Sequence, residues 1–216
     1  MQHLFAQFES LGANCEFGFV QRAAGIEPAG LLRWSMVTSP RALIAAIQTD
    51  FPALYDFESL VPYNAGMVLD QRLGIAFHSA LNSVRVGAGF MFRQSEQDRR
   101  DIHRFEAGKV MQQLGRFRAD LASGERMFVF HKFTDALTPR EIAHLFSVLR
   151  QRGPARLLVV SLADDAHPAG SVIAHLPGLL HGYIDRFAPG DRAYDVSFDL
   201  WTRICHTALE MAPPGS

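Results

Sequence analysis

The chain has 216 residues, 48% apolar and 20% charged, with a formal net charge of −1. That suits one globular domain with a sizeable core. It argues against a nucleic-acid binder, since no basic run stands out, and against a membrane protein, since no apolar stretch approaches ~18 residues. The start, Met1-Gln-His-Leu-Phe5, lacks the basic and apolar regions of a signal peptide. Two distant cysteines, Cys15 and Cys205, make no disulfide framework, so a reducing cytoplasm is expected.

In chain order, the first expected element is a strand near 3–9. A turn at Gly12 follows, then a short helix from Glu16 to Ala24 ending at Gly25. Asn14 is the expected N-cap, which puts Cys15 at the first helical position. Ser39-Pro40 opens a helix with Leu43, Ile44, Ile47 and Phe51 on its inner face. Residues 54–72 are ambiguous between strand and loop. Leu73 to His78 reads as a strand. A long helix opens near Ser95 and carries Ile102, Phe105, Val110, Leu114, Phe117 and Leu121 before Gly124.

Residues 126–163 are the most legible stretch. Arg126 to Phe133 is a strand, aromatic and apolar. Thr138-Pro-Arg-Glu141 is a capping box with proline at the first helical position. Gly153-Pro154 stops that helix, and Arg156 to Leu162 is a strand apolar enough to be buried on both faces. Strand, helix and strand at this spacing predict a parallel pair with a right-handed crossover. A strand near 181–187 and a helix from Ser197, carrying Phe198, Trp201, Ile204 and Ala208, complete the pattern. The expected fold is a single α/β domain over residues 1–211. It has three layers and a mainly parallel sheet flanked by helices, with an α+β papain-like arrangement as the alternative. Residues 212–216 are expected to form a loose tail.

Ser10-Leu-Gly-Ala-Asn-Cys-Glu16 places a thiol where a strand turns into a helix. Helix N-terminal N–H groups and their partial positive charge favour a thiolate, and can hold an oxyanion. Gly12 permits the sharp turn and, with Asn14, belongs to the candidate oxyanion or substrate-binding set. A cysteine nucleophile needs a base. His78, ending a strand, is the first choice among nine histidines, and His131, inside a strand, is the second. Arg22 and Arg33 are candidate anion contacts. Asp164 and His167, in the loop after a parallel strand, lie where α/β sites are assembled. Each also has an ordinary explanation: a buried cysteine, a helix cap, a surface arginine, a turn. Glu16 beside Cys15 would oppose ionisation of the thiol if it pointed inward. His167, His175 and His181 lack metal-ligand spacing. No P-loop, G-x-G-x-x-G or G-x-S-x-G motif occurs, so no metal and no cofactor are expected.

The Ser10–Glu16 stretch resembles the signature of a bacterial domain family of unknown function, labelled as a papain-like cysteine peptidase. Phe17-Gly-Phe-Val-Gln-Arg22, Glu27-Pro-Ala-Gly-Leu-Leu-Arg-Trp34, Gly74-Ile-Ala-Phe-His78 and Ala166-His-Pro168 extend the resemblance over most of the chain. It implies a nucleophile at Cys15 with His78 as partner, and a setting beside glycosyltransferases in surface-polysaccharide metabolism. The chain departs from true papain-like peptidases by lacking a Cys-Gly-Ser-Cys-Trp run. It also carries Glu9 where the oxyanion glutamine would stand.

Two functions compete. One is cysteine-dependent acyl transfer, to water as a hydrolase or peptidase, or to a hydroxyl as an acyltransferase, on a small-molecule, glycan or peptide substrate. The other is a non-catalytic module that binds a glycan or accompanies a glycosyltransferase, with Trp34, Arg22 and Arg33 as contacts. A nucleotide-sugar enzyme is a minor third reading, allowed by the α/β pattern alone.

Overall fold

The computed structural model describes residues 1–12, 14–131 and 137–213. The helices are α1 (Gln2–Phe5), α2 (Glu16–Ala23), α3 (Pro40–Gln48), α4 (Glu96–Ser123), α5 (Pro139–Arg150) and α6 (Phe198–Met211). The strands are β1 (Phe8–Ser10), β2 (Ser35–Val37), β3 (Leu60–Asn64), β4 (Met67–Asp70), β5 (Ile75–His78), β6 (Ser83–Val86), β7 (Gly89–Phe92), β8 (Met127–His131), β9 (Arg156–Leu162), β10 (Val172–Leu176) and β11 (Leu179–Ile184).

The fold is mixed α/β. A five-stranded sheet has the order β1-β8-β9-β11-β10, parallel except for β10 at one edge. A four-stranded antiparallel sheet has the order β2-β5-β4-β3, and β6 and β7 form a separate ribbon. The expected β8–α5–β9 unit forms as a parallel pair, with Phe130 opposite Val159. Its helix starts on the capping box read from Thr138 and Glu141.

Alternate residues of the parallel strands feed two apolar clusters. Phe128, Phe130, Leu157 and Val159 join a core with α3, α4 and α5. Met127, Val129, Leu158 and Val160 join a second with α2 and α6. Such two-sided burial explains the continuous apolar runs in β8 and β9. Each fully buried leucine or valine here contributes roughly 2 kcal/mol.

Several expectations are corrected. Residues 2–5 are helical, and the first strand is only Phe8–Ser10. Phe5 and Phe8 are both fully buried at helical, not strand, spacing. Ile102, Val110, Leu114, Phe117 and Leu121 of α4 face the core as expected, but Phe105 does not: it is 68% exposed. The ambiguous 54–72 region holds β3 and β4. Ala212 is no loose tail: it is buried, and its carbonyl accepts a hydrogen bond from Arg156 Nη1 at 2.6 Å. Residues 132 and 133 of the expected strand and 214–216 of the expected tail lie outside the described residues. Among the described residues, no helix is long and apolar enough to cross a membrane.

Candidate active site

Cys15 follows the C-terminal end of β1, on the edge of the parallel sheet where β8 also ends at His131. Gly12 makes the turn with φ 69°. A Cβ on Gly12 would lie 2.4 Å from Ser35 Oγ and 2.6 Å from the Leu32 carbonyl oxygen, so only glycine fits. The Gly12 carbonyl accepts from Val37 N at 2.9 Å, which ties the turn to β2. β2 in turn pairs with β5, with Ser35 opposite Phe77. This chain of contacts carries His78, the last residue of β5, to the thiol: Cys15 Sγ lies 3.8 Å from His78 Nε2. That is a long hydrogen bond even for sulfur, yet it joins residues 63 positions apart.

The thiol is half-buried and burial pushes its pKa above the ordinary value. The sequence pointed the other way, to a thiolate favoured by the helix terminus. Desolvation opposes the charged form, and among the described residues no cationic partner offsets it. Burial thus favours the thiol form of Cys15 over the thiolate in its contact with His78 Nε2. Cys205, on α6, is fully buried and pushed further up.

The helix cap differs by one position from expectation. Cys15 itself is the N-cap, and Asn14 Oδ1 accepts from Glu16 N at 2.8 Å. Asn14 Oδ1 also lies 2.8 Å from His131 Nε2. An amide oxygen only accepts, so that nitrogen carries the proton. His131 is enclosed by the Phe187 and Trp201 rings, and burial holds its pKa down at about 3. It is a neutral strut for Asn14, not a proton carrier.

Glu16 does not point at the thiol. Its carboxylate accepts from Trp201 Nε1 at 2.9 Å and Ala188 N at 3.0 Å, and burial raises its pKa. Two N–H groups expected to be open are occupied: Gly12 N donates to Ser10 Oγ, and Glu16 N to Asn14. Gly12 is thus a turn residue here, not an oxyanion donor.

The other expected site residues separate. Arg33 is buried, and its guanidinium donates to Gln21 Oε1, Gly18 O and Ile26 O while pairing with Glu27. These bonds bind the 26–33 loop to α2. Arg22 is exposed, also pairs with Glu27, and lies 4.6 Å over the Trp34 ring. Trp34 is half-buried. Asp164 Oδ1 accepts from the backbone N–H groups of Ala166 and His167 and from His167 Nδ1. The His167 ring stacks on Tyr183 at 4.3 Å, so the pair forms a self-contained turn.

A cavity of about 280 Å³ opens beside His78, walled by Trp34, Tyr55, Phe77 and Val110, with Glu106 and Lys109 from α4. Tyr55 and Glu106 were not anticipated. Tyr55 lies in the ambiguous stretch and adopts a positive φ of 60°. Glu106 did leave a signal. It sits midway between Ile102 and Val110 in the i, i+4 row of α4, a carboxylate on an otherwise apolar face.

Among the described residues, no group of three or more His, Cys, Asp or Glu side chains is arranged to hold a metal ion. No protein-family model, curated protein or solved structure matches the chain.

Proposed function

We propose that this chain is a cysteine-dependent acyl-transfer enzyme, and the observation that carries the reading is the contact between Cys15 and His78, a histidine that lines the cavity. In the first half-reaction His78 Nε2 takes the Sγ proton as Sγ attacks a carbonyl carbon. The tetrahedral oxyanion lies at the positive end of α2, with the Cys15 N–H as donor. Collapse breaks the bond to the leaving oxygen or nitrogen, which receives the proton from His78, and leaves a thioester on Cys15. Water or a hydroxyl then attacks the thioester, gives its proton to His78, and restores the thiol. Because burial raises the thiol pKa, His78 acts as a general base during attack rather than as half of a standing ion pair.

The apolar walls of the cavity suit the acyl portion of a small-molecule, glycan or peptide substrate. We further infer a three-layer arrangement, supported by apolar clusters on opposite faces of the parallel sheet. The family resemblance suggests a cytoplasmic role in surface-polysaccharide metabolism. A second reading, a glycan-binding module, draws on the aromatic group of Phe19, Trp34 and the 66% exposed Tyr194.

The test is acylation by p-nitrophenyl acetate, followed by intact-protein and peptide mass spectrometry. An acetyl group on Cys15, absent in Cys15→Ala and strongly slowed in His78→Ala, is expected. Undiminished ester turnover by Cys15→Ala sinks the enzymatic reading and favours the binding module.

A further inference from the structure

We infer that Glu106 is the positioning residue of the Cys–His pair, fixing His78 through the turn that follows it. This rests on the acyl-transfer reading above. His78 is the last residue of β5 and is exposed, so no packed shell locks its ring, and one backbone bond, Ser79 N donating to the Gly66 carbonyl at 3.2 Å, continues the strand pairing beyond it. Whatever fixes the backbone just beyond it decides where the imidazole stands. Beside that one backbone bond, the anchor is a single carboxylate. Glu106 Oε2 accepts from Ser79 Oγ at 2.6 Å, and Oε1 accepts from Ala80 N at 2.8 Å. Both donors belong to the two residues directly after His78. The turn is closed on itself by Leu81 N donating to Ser79 Oγ at 3.0 Å, and Gln94 Nε2 donates to the Ala80 carbonyl at 2.9 Å.

A third donor joins the same carboxylate to the cavity. Tyr55 Oη donates to Glu106 Oε2 at 2.7 Å. Tyr55 is itself pinned, its N–H donating to buried Asp70 at 2.9 Å and its carbonyl accepting from His103 Nε2 at 2.7 Å. Burial, followed by lesser effects, pushes the phenol upward, so it stays a donor. Three neutral donors converge on one charge, and charge-assisted bonds of this kind are about twice as strong as neutral ones. Glu106 stands on α4, a 28-residue helix, so the anchor is rigid. The carboxylate does not touch the reacting atoms. Its role parallels that of the side chain that orients the base in other nucleophile–base sites, but it acts through the peptide backbone.

The test is the second-order rate of Cys15 alkylation by iodoacetamide from pH 6 to 10, in a Cys205→Ser background, for wild type, His78→Ala, Glu106→Gln and Ser79→Ala. His78→Ala is expected to lower the rate in the neutral range. Glu106→Gln keeps one acceptor oxygen and is expected to lower it about tenfold over the same range. The high-pH limit, where the thiolate itself reacts, should stay unchanged. A merely structural carboxylate would not produce this pH-selective loss. A Glu106→Gln profile that overlays wild type while His78→Ala departs from it overturns the assignment and leaves the Cys–His reading standing. If His78→Ala also overlays wild type, both fall. Should Glu106→Gln fail to fold, Ser79→Ala removes one anchor alone. It is expected to give the same pH-selective loss at smaller amplitude, and an unchanged profile counts against the inference.

Discussion

Two strand ends flank the Asn14–Cys15 turn, and each offers a histidine. His78 ends β5 in solvent, 3.8 Å from the thiol. His131 ends β8 in the core, 1% exposed and 2.8 Å from Asn14. The side chains are chemically the same, but their surroundings divide the work. On the proposed reading, the exposed His78 is the one that takes and returns a proton. Burial holds His131 neutral, with its Nε2 proton committed to Asn14. On that reading, the choice of base is a question of desolvation as much as of distance.

Exchanging the two histidines for alanine gives the largest contrast. His78→Ala should lower the acylation rate about 10²-fold or more and leave urea stability nearly unchanged. His131→Ala should do the reverse, costing roughly 3 kcal/mol in urea denaturation by opening a cavity and stranding Asn14. If both variants lose rate equally with no loss of stability, the division of labour is wrong.

Acid titration sharpens the same contrast. The folded His131 pKa is held down at about 3 by burial, below the unfolded value near 6.5. Its neutral form thus stabilises the fold above pH 6.5, and that contribution is lost as pH falls from 6.5 toward 3. Urea curves for wild type and His131→Phe should converge over that window, while His78→Ala should track wild type.

Glu9 supplies the opposite sign. It is buried on β1 behind Gly30, with Arg126 Nη1 at 3.2 Å, and burial raises its pKa to about 7. Its contribution is complete below about pH 4.5 and is lost as pH rises through 7. Between pH 5 and 8, wild type should lose on the order of 2 kcal/mol relative to Glu9→Gln in urea denaturation. A pH-independent difference would mean that Glu9 is charged throughout. The smallest effect is Asn14→Ala, about 1 kcal/mol from the lost bond to Glu16 N, read by thermal melting. A larger loss would show that most of the worth of His131 passes through Asn14.

Much of this could be read from the sequence because it is local chemistry. The capping box at Thr138 and Glu141, the Ser39-Pro40 and Ser95 starts, and the stop at Gly124 each need only neighbouring residues to act. The apolar run of β9 announced its own two-sided burial. Gly12 and Cys15 were legible as a turn carrying a thiol. Less legible were elements shorter than a pattern can show. Residues 2–10 split into a one-turn helix and a three-residue strand, with Phe5 buried in the first and Phe8 in the second, and a single i, i+3 pair is too short a pattern to read.

The sequence by itself determined which residues could do chemistry: a thiol at a strand-to-helix turn and a histidine at a strand end. Tertiary structure decided which of them met and in what protonation state. The Gly12–Val37 bond and the β2–β5 register brought His78 to Cys15, while turning Glu16 toward Trp201 kept its charge off the thiol. Contacts between residues 63 positions apart, and the cost of burying a charge, depend on packing from the whole chain. Neither is encoded in any local window.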